Sequence, residues 1–466
     1  MKYTIRLIIL SFITLLFWSP ISVEAKDASA VKQNKTTKYL DIKEIKTKSG
    51  LTAWFVQDSS VPVIAMSFSF RGAGAKNDPV GKQGLTRLAS NTMDEGAGNL
   101  TSQDFQKMLR DKSISLSFSA GRDHFGGSLK TLSANKQDAF HLLKIALTQP
   151  RFDQEPLDRM RASNKSRIKS SLSNPRWITA RIKNDRIYDN HSYALNSGGT
   201  LASLDNITAD DLRAFHKTLG KNNLVISVAG DIEEAELQQL LDDVFSSLPE
   251  TAPYTSQKHA LQNSGKTFLH KMDIPQTFIN ITQTGIARSD KDFYNANVMN
   301  FILGESGFGS RLMEEIREKR GLTYGIYSYF NSYDEIDSLH VSTSTGNENV
   351  SEMLSLIHDQ WDLMTSQNVS TEEINEAKSY LIGSLPLSLT STNSIAGILQ
   401  SMQLDNLPMN HLDTRADKIN AVGIADVNAV AKRLLDKNKF TTILVGNPEG
   451  IDAENLTVIE TIPNAE

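Results

Sequence analysis

A chain of 466 residues exceeds one ordinary domain and leaves room for two large ones. Its 39 % apolar, 7 % aromatic and 22 % charged residues are ordinary globular usage, which excludes collagen-like, coiled-coil and wholly disordered chains. A net charge of −5 argues against a general nucleic-acid or anionic-membrane binder, and the lack of cysteine excludes disulfides, Cys-ligated zinc, iron–sulfur clusters and thiol catalysis, so any metal would need His and carboxylate ligands.

Residues 1–25 read as a secretory signal: Lys2 and Arg6, an apolar run from Leu7 to Trp18, Pro20, then Val23-Glu24-Ala25 as a cleavage site. The run is shorter than the roughly 20 residues that span a bilayer, so cleavage after Ala25 and a periplasmic or secreted chain with no membrane contact are expected. Residues 26–39 form a polar, aperiodic leader. Pro62 to Phe70 alternates with period two, as a half-buried strand does, and a helix is expected over Asp153–Ile168. Ile207 to Asp231 reads as a capped helix, a turn, a β-branched strand and a glycine stop.

Much of this recurs. Gly423 to Asn447 repeats the 207–231 unit at a shift of 216, Pro275–Gln283 repeats the strand at 62 at a shift of 213, and Ser370–Leu385 answers the helix at 153. The chain therefore reads as two homologous domains, 40–247 and 265–450, joined by a Pro-containing linker at 248–264 and followed by a tail at 451–466. Each half is close to β-β-α-α-β-α-α-β, an α+β fold with an antiparallel or mixed sheet and helices packed on one face.

Gly72 and Gly74, Gly84-Leu85, Met93-Asp94-Glu95-Gly96 and His191-Ser192-Tyr193 resemble the first domain of the insulinase- or pitrilysin-like zinc peptidases. Gly309-Ser310-Arg311-Leu312 through Arg317 and Tyr324 is similar to the second. The resemblance covers about 45–447 and implies the family's duplicated fold. Active members carry H-x-x-E-H on the helix after Gly84, two zinc ligands on one helix face with a general base between them. Here the positions hold Arg87, Ser90 and Asn91. A permanently charged Arg repels zinc. The family's third ligand, a Glu some seventy residues on, is also missing: between Asp158 and Asp185 there are eight basic residues and no acidic one. None of the nine histidines pairs at i,i+3 or i,i+4, and His124 reads as a structural or exposed strand residue. This chain is expected to bind no metal.

The basic stretch 159–183 reads most simply as a solvated helix face, with a cationic wall facing acidic or C-terminal peptide groups as the alternative. The glycines of 304–310 make a weak phosphate cradle, because no Gly-Lys-Ser/Thr follows, and a loop leading into Ser310 is the better account. Arg317 and Tyr324 would share a face if the helix lasted, but Gly321 should end it and Tyr324 should open a strand to Tyr329. In the family this pair holds substrate beside the scissile bond: Arg offers donors to peptide carbonyls and Tyr donates to a developing oxyanion. Some bacterial members split the zinc motif and the Arg/Tyr pair between two chains. The resemblance thus implies a non-catalytic, substrate-binding subunit, inactive alone, of an exported heterodimeric peptidase, with zinc in an H-x-x-E-H-bearing partner and a peptide as substrate. The alternative is a catalytically dead homodimeric peptide-binding or scaffold protein.

Overall fold

The computed structural model describes residues 38–306, 309–451 and 456–464. The expected signal segment, and the leader as far as Thr37, lie outside the described residues.

The first half runs β1 (Lys43–Lys46), β2 (Thr52–Gln57), β3 (Val63–Arg71), α1 (Leu85–Ser90), α2 (Ser102–Asp111), β4 (Ser115–Ala120) and β5 (His124–Leu132). It continues with α3 (Lys136–Thr148), α4 (Gln154–Ser171), α5 (Pro175–Ile187), α6 (Leu201–Asp205), α7 (Ala209–His216), β6 (Leu224–Gly230) and α8 (Glu234–Phe245). The second half runs β7 (Thr267–Lys271), β8 (Gln276–Thr284), α9 (Phe293–Asn300), β9 (Tyr327–Ser332), β10 (Asp337–Gly346), α10 (Val350–Ser366) and α11 (Thr371–Gly383). Then follow α12 (Leu385–Ser388), α13 (Thr392–Leu404), α14 (His411–Ala421), α15 (Ile424–Leu434), β11 (Thr441–Gly446) and β12 (Leu456–Val458).

Each half builds one six-stranded mixed sheet, ordered β1-β2-β6-β3-β5-β4 and β12-β7-β11-β8-β10-β9. The α+β expectation is met, with two differences in detail. A β4–β5 hairpin, and its counterpart β9–β10, stands between the helices of each half, where the sequence suggested a single strand. Residues 456–458, read as tail, pair in parallel with β7.

The period-two strands are buried on both faces rather than one. On β3, Ile64, Met66, Phe68 and Phe70 enter the main core of the first half. The alternate residues Ala65, Ser67 and Ser69 are buried too. They lie beneath α13, a helix of the second half, whose Ile395, Ala396 and Leu399 pack on Val56, Ala65 and Ala229. Small side chains let the helix approach, and their hydroxyls find partners on it. Gln400 donates to Ser69 Oγ at 2.9 Å, and Gln403 donates to Ser227 Oγ at 2.7 Å and to the Ile226 carbonyl at 3.0 Å.

The exchange is reciprocal. Ile178 and Ile182 of α5, from the first half, cover Phe268, Ile443 and Val445 on the second sheet. Helix α5 begins at Pro175 and α13 at Thr392, 217 positions later, so the same element of each repeat crosses to the other sheet. The basic stretch therefore does not form one solvated face: α5 carries its portion into a buried layer, where Arg181 is only 4 % exposed.

A polar seam joins the halves elsewhere. Lys76 Nζ, almost fully enclosed, donates to Glu335 at 2.6 Å and to Tyr254 Oη at 2.8 Å. Glu335 also meets His191 Nε2 at 2.8 Å, and Asp123 accepts from Tyr193 Oη and from the Asp334 backbone N–H. Burial pushes the Glu335 carboxyl up, but Lys76 and His191 together more than offset it and hold it below the usual carboxylate range. At Asp334 burial is likewise outweighed by His124 and Tyr254.

Two outcomes follow. Ile182→Ala or Leu399→Ala, each fully buried, should cost about 3 kcal/mol. Because each sheet is closed by the other half's helix, urea unfolding should show both halves melting in one transition; two separated transitions would contradict the interlock. Glu335 and Asp334 have depressed folded values, so their contribution is present above the ordinary carboxylate range and is lost as pH falls from that range through the folded values. Lys76→Met, which strands Glu335, should cost about 3 kcal/mol at neutral pH in the same urea titration.

Candidate functional site

The three positions of the degenerate metal motif lie on and just after α1. Gly84 opens the helix at φ +92°, and a Cβ there would come within 2.8 Å of Gly199 Cα, so only glycine lets α1 start this close to the chain. Asp78 fixes the start by accepting from the Gly84 N–H at 2.8 Å and the Thr86 N–H at 3.0 Å, with its carboxyl pushed up to about 6 by burial. Leu88 and Ala89 then face the core. Ser90 Oγ turns back to the Arg87 carbonyl at 2.8 Å. The Asn91 Oδ1 is buried with no hydrogen-bond donor.

Arg87 points into a cavity of about 230 Å³, shared with Asn164 and Arg167 of α4 and with Trp177 of α5. Burial, and then the charge of Arg167, lowers the proton affinity of the Arg87 guanidinium. Among the described residues no carboxylate or histidine lines the cavity. Zinc needs neutral or anionic donors, so two guanidinium groups and an amide do not fit it.

Among the described residues one group has metal-donor composition: His191, His259 and Glu335, whose donor atoms lie within 4.8 Å of one another. Sequence spacing could not reveal it, because the three come from separate segments. Glu335 is already bonded to the Lys76 ammonium, and His191 Nδ1 accepts the Tyr193 N–H at 3.1 Å. A cation already fills the role a metal would take, and the group serves the seam between the halves.

The Arg/Tyr pair sits in the second half. Arg311 forms a two-pronged ion pair with Glu373, at 2.6 and 2.9 Å, that ties the segment to the start of α11. From Met313 to Glu318 the chain winds as a wider π-helix, and Arg317 lies 3.5 Å from Glu318 on its last turn. Gly321, at φ +65°, ends the winding by donating to the Arg317 carbonyl at 2.8 Å. That matches the expected stop. Tyr324, however, does not open the strand: β9 begins three residues later, at Tyr327.

Tyr324 instead stands on a pinned segment. Thr343 Oγ1 donates to the Gly325 carbonyl at 3.0 Å, and Thr345 Oγ1 donates to the Leu322 carbonyl at 2.7 Å. The Tyr324 side chain, 90 % exposed, projects from this fixed backbone. Only the alternate threonines of β10 hint at such support in the sequence.

Tyr324 borders a cleft of about 450 Å³ lined by Tyr327, Tyr329 and Asn280 on the second half and by Arg176 and Lys183 from the exchanged helix α5. Among the described residues no acidic one lines it. Lys183, partly buried, has its ammonium pushed down to about 8 by burial and then by the like charges of Arg122 and Arg181. Arg176 lies over the Phe278 ring at 5.8 Å. Arg176 and Lys183 stood out in the sequence only as members of a basic stretch; their place beside Tyr324 depends on the helix exchange.

Comparison with known proteins agrees with this geometry. A family model described as the peptidase M16 inactive domain matches residues 206–381. The non-peptidase homolog YmxG of Helicobacter pylori is 26 % identical over 415 residues, 86 % of this chain and 95 % of that protein. The probable inactive metalloprotease YmfF of Bacillus subtilis is 28 % identical over 217 residues, 46 % of this chain and 49 % of that protein. A crystal structure of a peptidase M16 inactive domain from Pseudomonas fluorescens superimposes with a TM-score of 0.82 at 26 % identity, over 91 % of this chain and 99 % of that one. With its duplicated fold and its Arg87-Ser90-Asn91 motif, the chain is similar over most of its length to inactive homologues of the M16 peptidases.

Proposed function

We propose that this chain is the non-catalytic, substrate-binding subunit of an exported, heterodimeric insulinase-like zinc peptidase that acts on peptides. The observation that carries the reading is Tyr324, presented to solvent from a backbone pinned by Thr343 and Thr345 at the edge of an acid-free cleft. A tyrosine hydroxyl presented this way can donate to a peptide carbonyl, and Arg317, on the preceding winding and outside the lining of the cleft, would offer further donors to a longer peptide. Tyr327 and Tyr329 give the cleft flat surfaces for side chains, while Arg176 and Lys183 favour carbonyl oxygens and anionic groups.

Among the described residues the cavity around Arg87 supplies neither ligand nor general base, which supports a reading in which an H-x-x-E-H-bearing partner would supply metal and water activation. In that arrangement a zinc held by the partner would supply the Lewis acidity for the scissile carbonyl and for water. The residues of this chain bind the peptide and hold it in register. The segment 1–25 is what would carry the chain to the periplasm or beyond.

In the reconstituted pair, Arg317→Ala and Tyr324→Phe should each lower turnover of a fluorogenic peptide at least about tenfold, with assembly by size-exclusion chromatography unchanged. Ordinary turnover in both variants would contradict the role given to these residues.

A further inference from the structure

The cavity beside α1 has the electrostatics of an anion site. Arg87 enters it from α1 and Arg167 from α4, and each guanidinium acts on the other as a like charge. Neither has a hydrogen bond or ion pair with any described residue. Asn164, one turn before Arg167 on the same helix face, is 5 % exposed, and its Nδ2 has no acceptor. A buried amide donor without an acceptor, and a half-buried Arg87 guanidinium beside the exposed Arg167, are unfavourable for the isolated fold. A bound oxyanion would satisfy the Asn164 amide and neutralise the like charges of Arg87 and Arg167 at once.

We propose that this cavity is a pocket for a carboxylate group of a bound peptide, held by Arg87, Arg167 and Asn164. The planar fork of an arginine matches the two oxygens of a carboxylate, and the Asn164 amide supplies a further donor from the wall. Ile168 and Trp177 give the pocket an apolar side. About 230 Å³ is enough for a carboxylate with its adjoining backbone or short side chain, and too little for a folded partner. The pocket adjoins the Tyr324 cleft: Trp177 lines one and its neighbour Arg176 lines the other, on the first turn of α5. That the ligand is a peptide rests on the function proposed above; that the pocket prefers an anion does not.

The test uses the whole mature chain and a fluorescein-labelled decapeptide of alanine, serine and phenylalanine. It is made with a free C-terminal carboxylate, as the C-terminal amide, and as the amide with one internal glutamate. By fluorescence anisotropy, at least one carboxylate form should bind about tenfold more tightly than the neutral amide, and which form does so identifies a C-terminal or a side-chain source. Arg87→Met and Arg167→Met should each abolish that preference and leave the affinity for the neutral amide unchanged. Equal binding of the three forms by the unaltered chain, or a preference that survives in both variants, overturns the proposal.

Thermal denaturation with N-acetylglycine against N-acetylglycinamide, at equal ionic strength, reads the pocket without a peptide. The acid should raise the midpoint of the unaltered chain and not that of Arg87→Met, whose midpoint without ligand should be equal or higher. If no peptide form binds while the acid still stabilises, the pocket stands and the peptide-binding function fails. No stabilisation by the acid, or a large drop in the unliganded midpoint of both variants, refutes the pocket.

Discussion

The reciprocal exchange of α5 and α13 is the constraint on which the rest of this molecule depends. Each six-stranded sheet buries one face against its own helices and the other against a single helix from the opposite repeat. Without that helix, Ala65, Ser67 and Ser69 on one sheet, or Phe268, Ile443 and Val445 on the other, would be left to water. Neither half is therefore a finished unit. The same crossing carries Arg176 and Lys183 from the first repeat to the edge of Tyr324 in the second, so the cleft is a composite of both repeats.

What the sequence made legible was periodic or local. The duplication showed in repeated spacings, and the equivalent helices α4 and α11 begin 217 residues apart, at Gln154 and Thr371. The glycine stop after Arg317 was legible because a left-handed residue at a helix end leaves a compositional mark. The loss of the metal motif was legible because Arg87, Ser90 and Asn91 stand at fixed positions on one helix.

What was not legible arose from contacts between distant residues. Alternation on β3 suggested a solvent face, because serine and alanine look the same whether they meet water or a close-packed helix 331 residues away. The strand after Tyr324 was placed three residues early, because the hydrogen bonds that hold 322–325 off the sheet come from Thr343 and Thr345. The basic stretch read as one solvated face, although its second half is an interior helix. The group of His191, His259 and Glu335 escaped any spacing rule because its members meet only in the folded seam.

The two candidate surfaces share an electrostatic character. Neither the Arg87 cavity nor the Tyr324 cleft is lined by a carboxylate, although the whole chain carries a net charge of −5. Where a zinc peptidase of this family concentrates anionic and imidazole ligands, this chain has guanidinium groups and amides. Such a lining repels a metal and attracts carbonyl oxygens and carboxylates, the groups a peptide offers.

The central claim, that this chain is one half of a split peptidase, is tested most directly by native affinity capture of the tagged mature chain from the cells that make it, followed by mass spectrometry. The account predicts a roughly equimolar partner of similar length that bears H-x-x-E-H. Recovery of only further copies of this chain would contradict it.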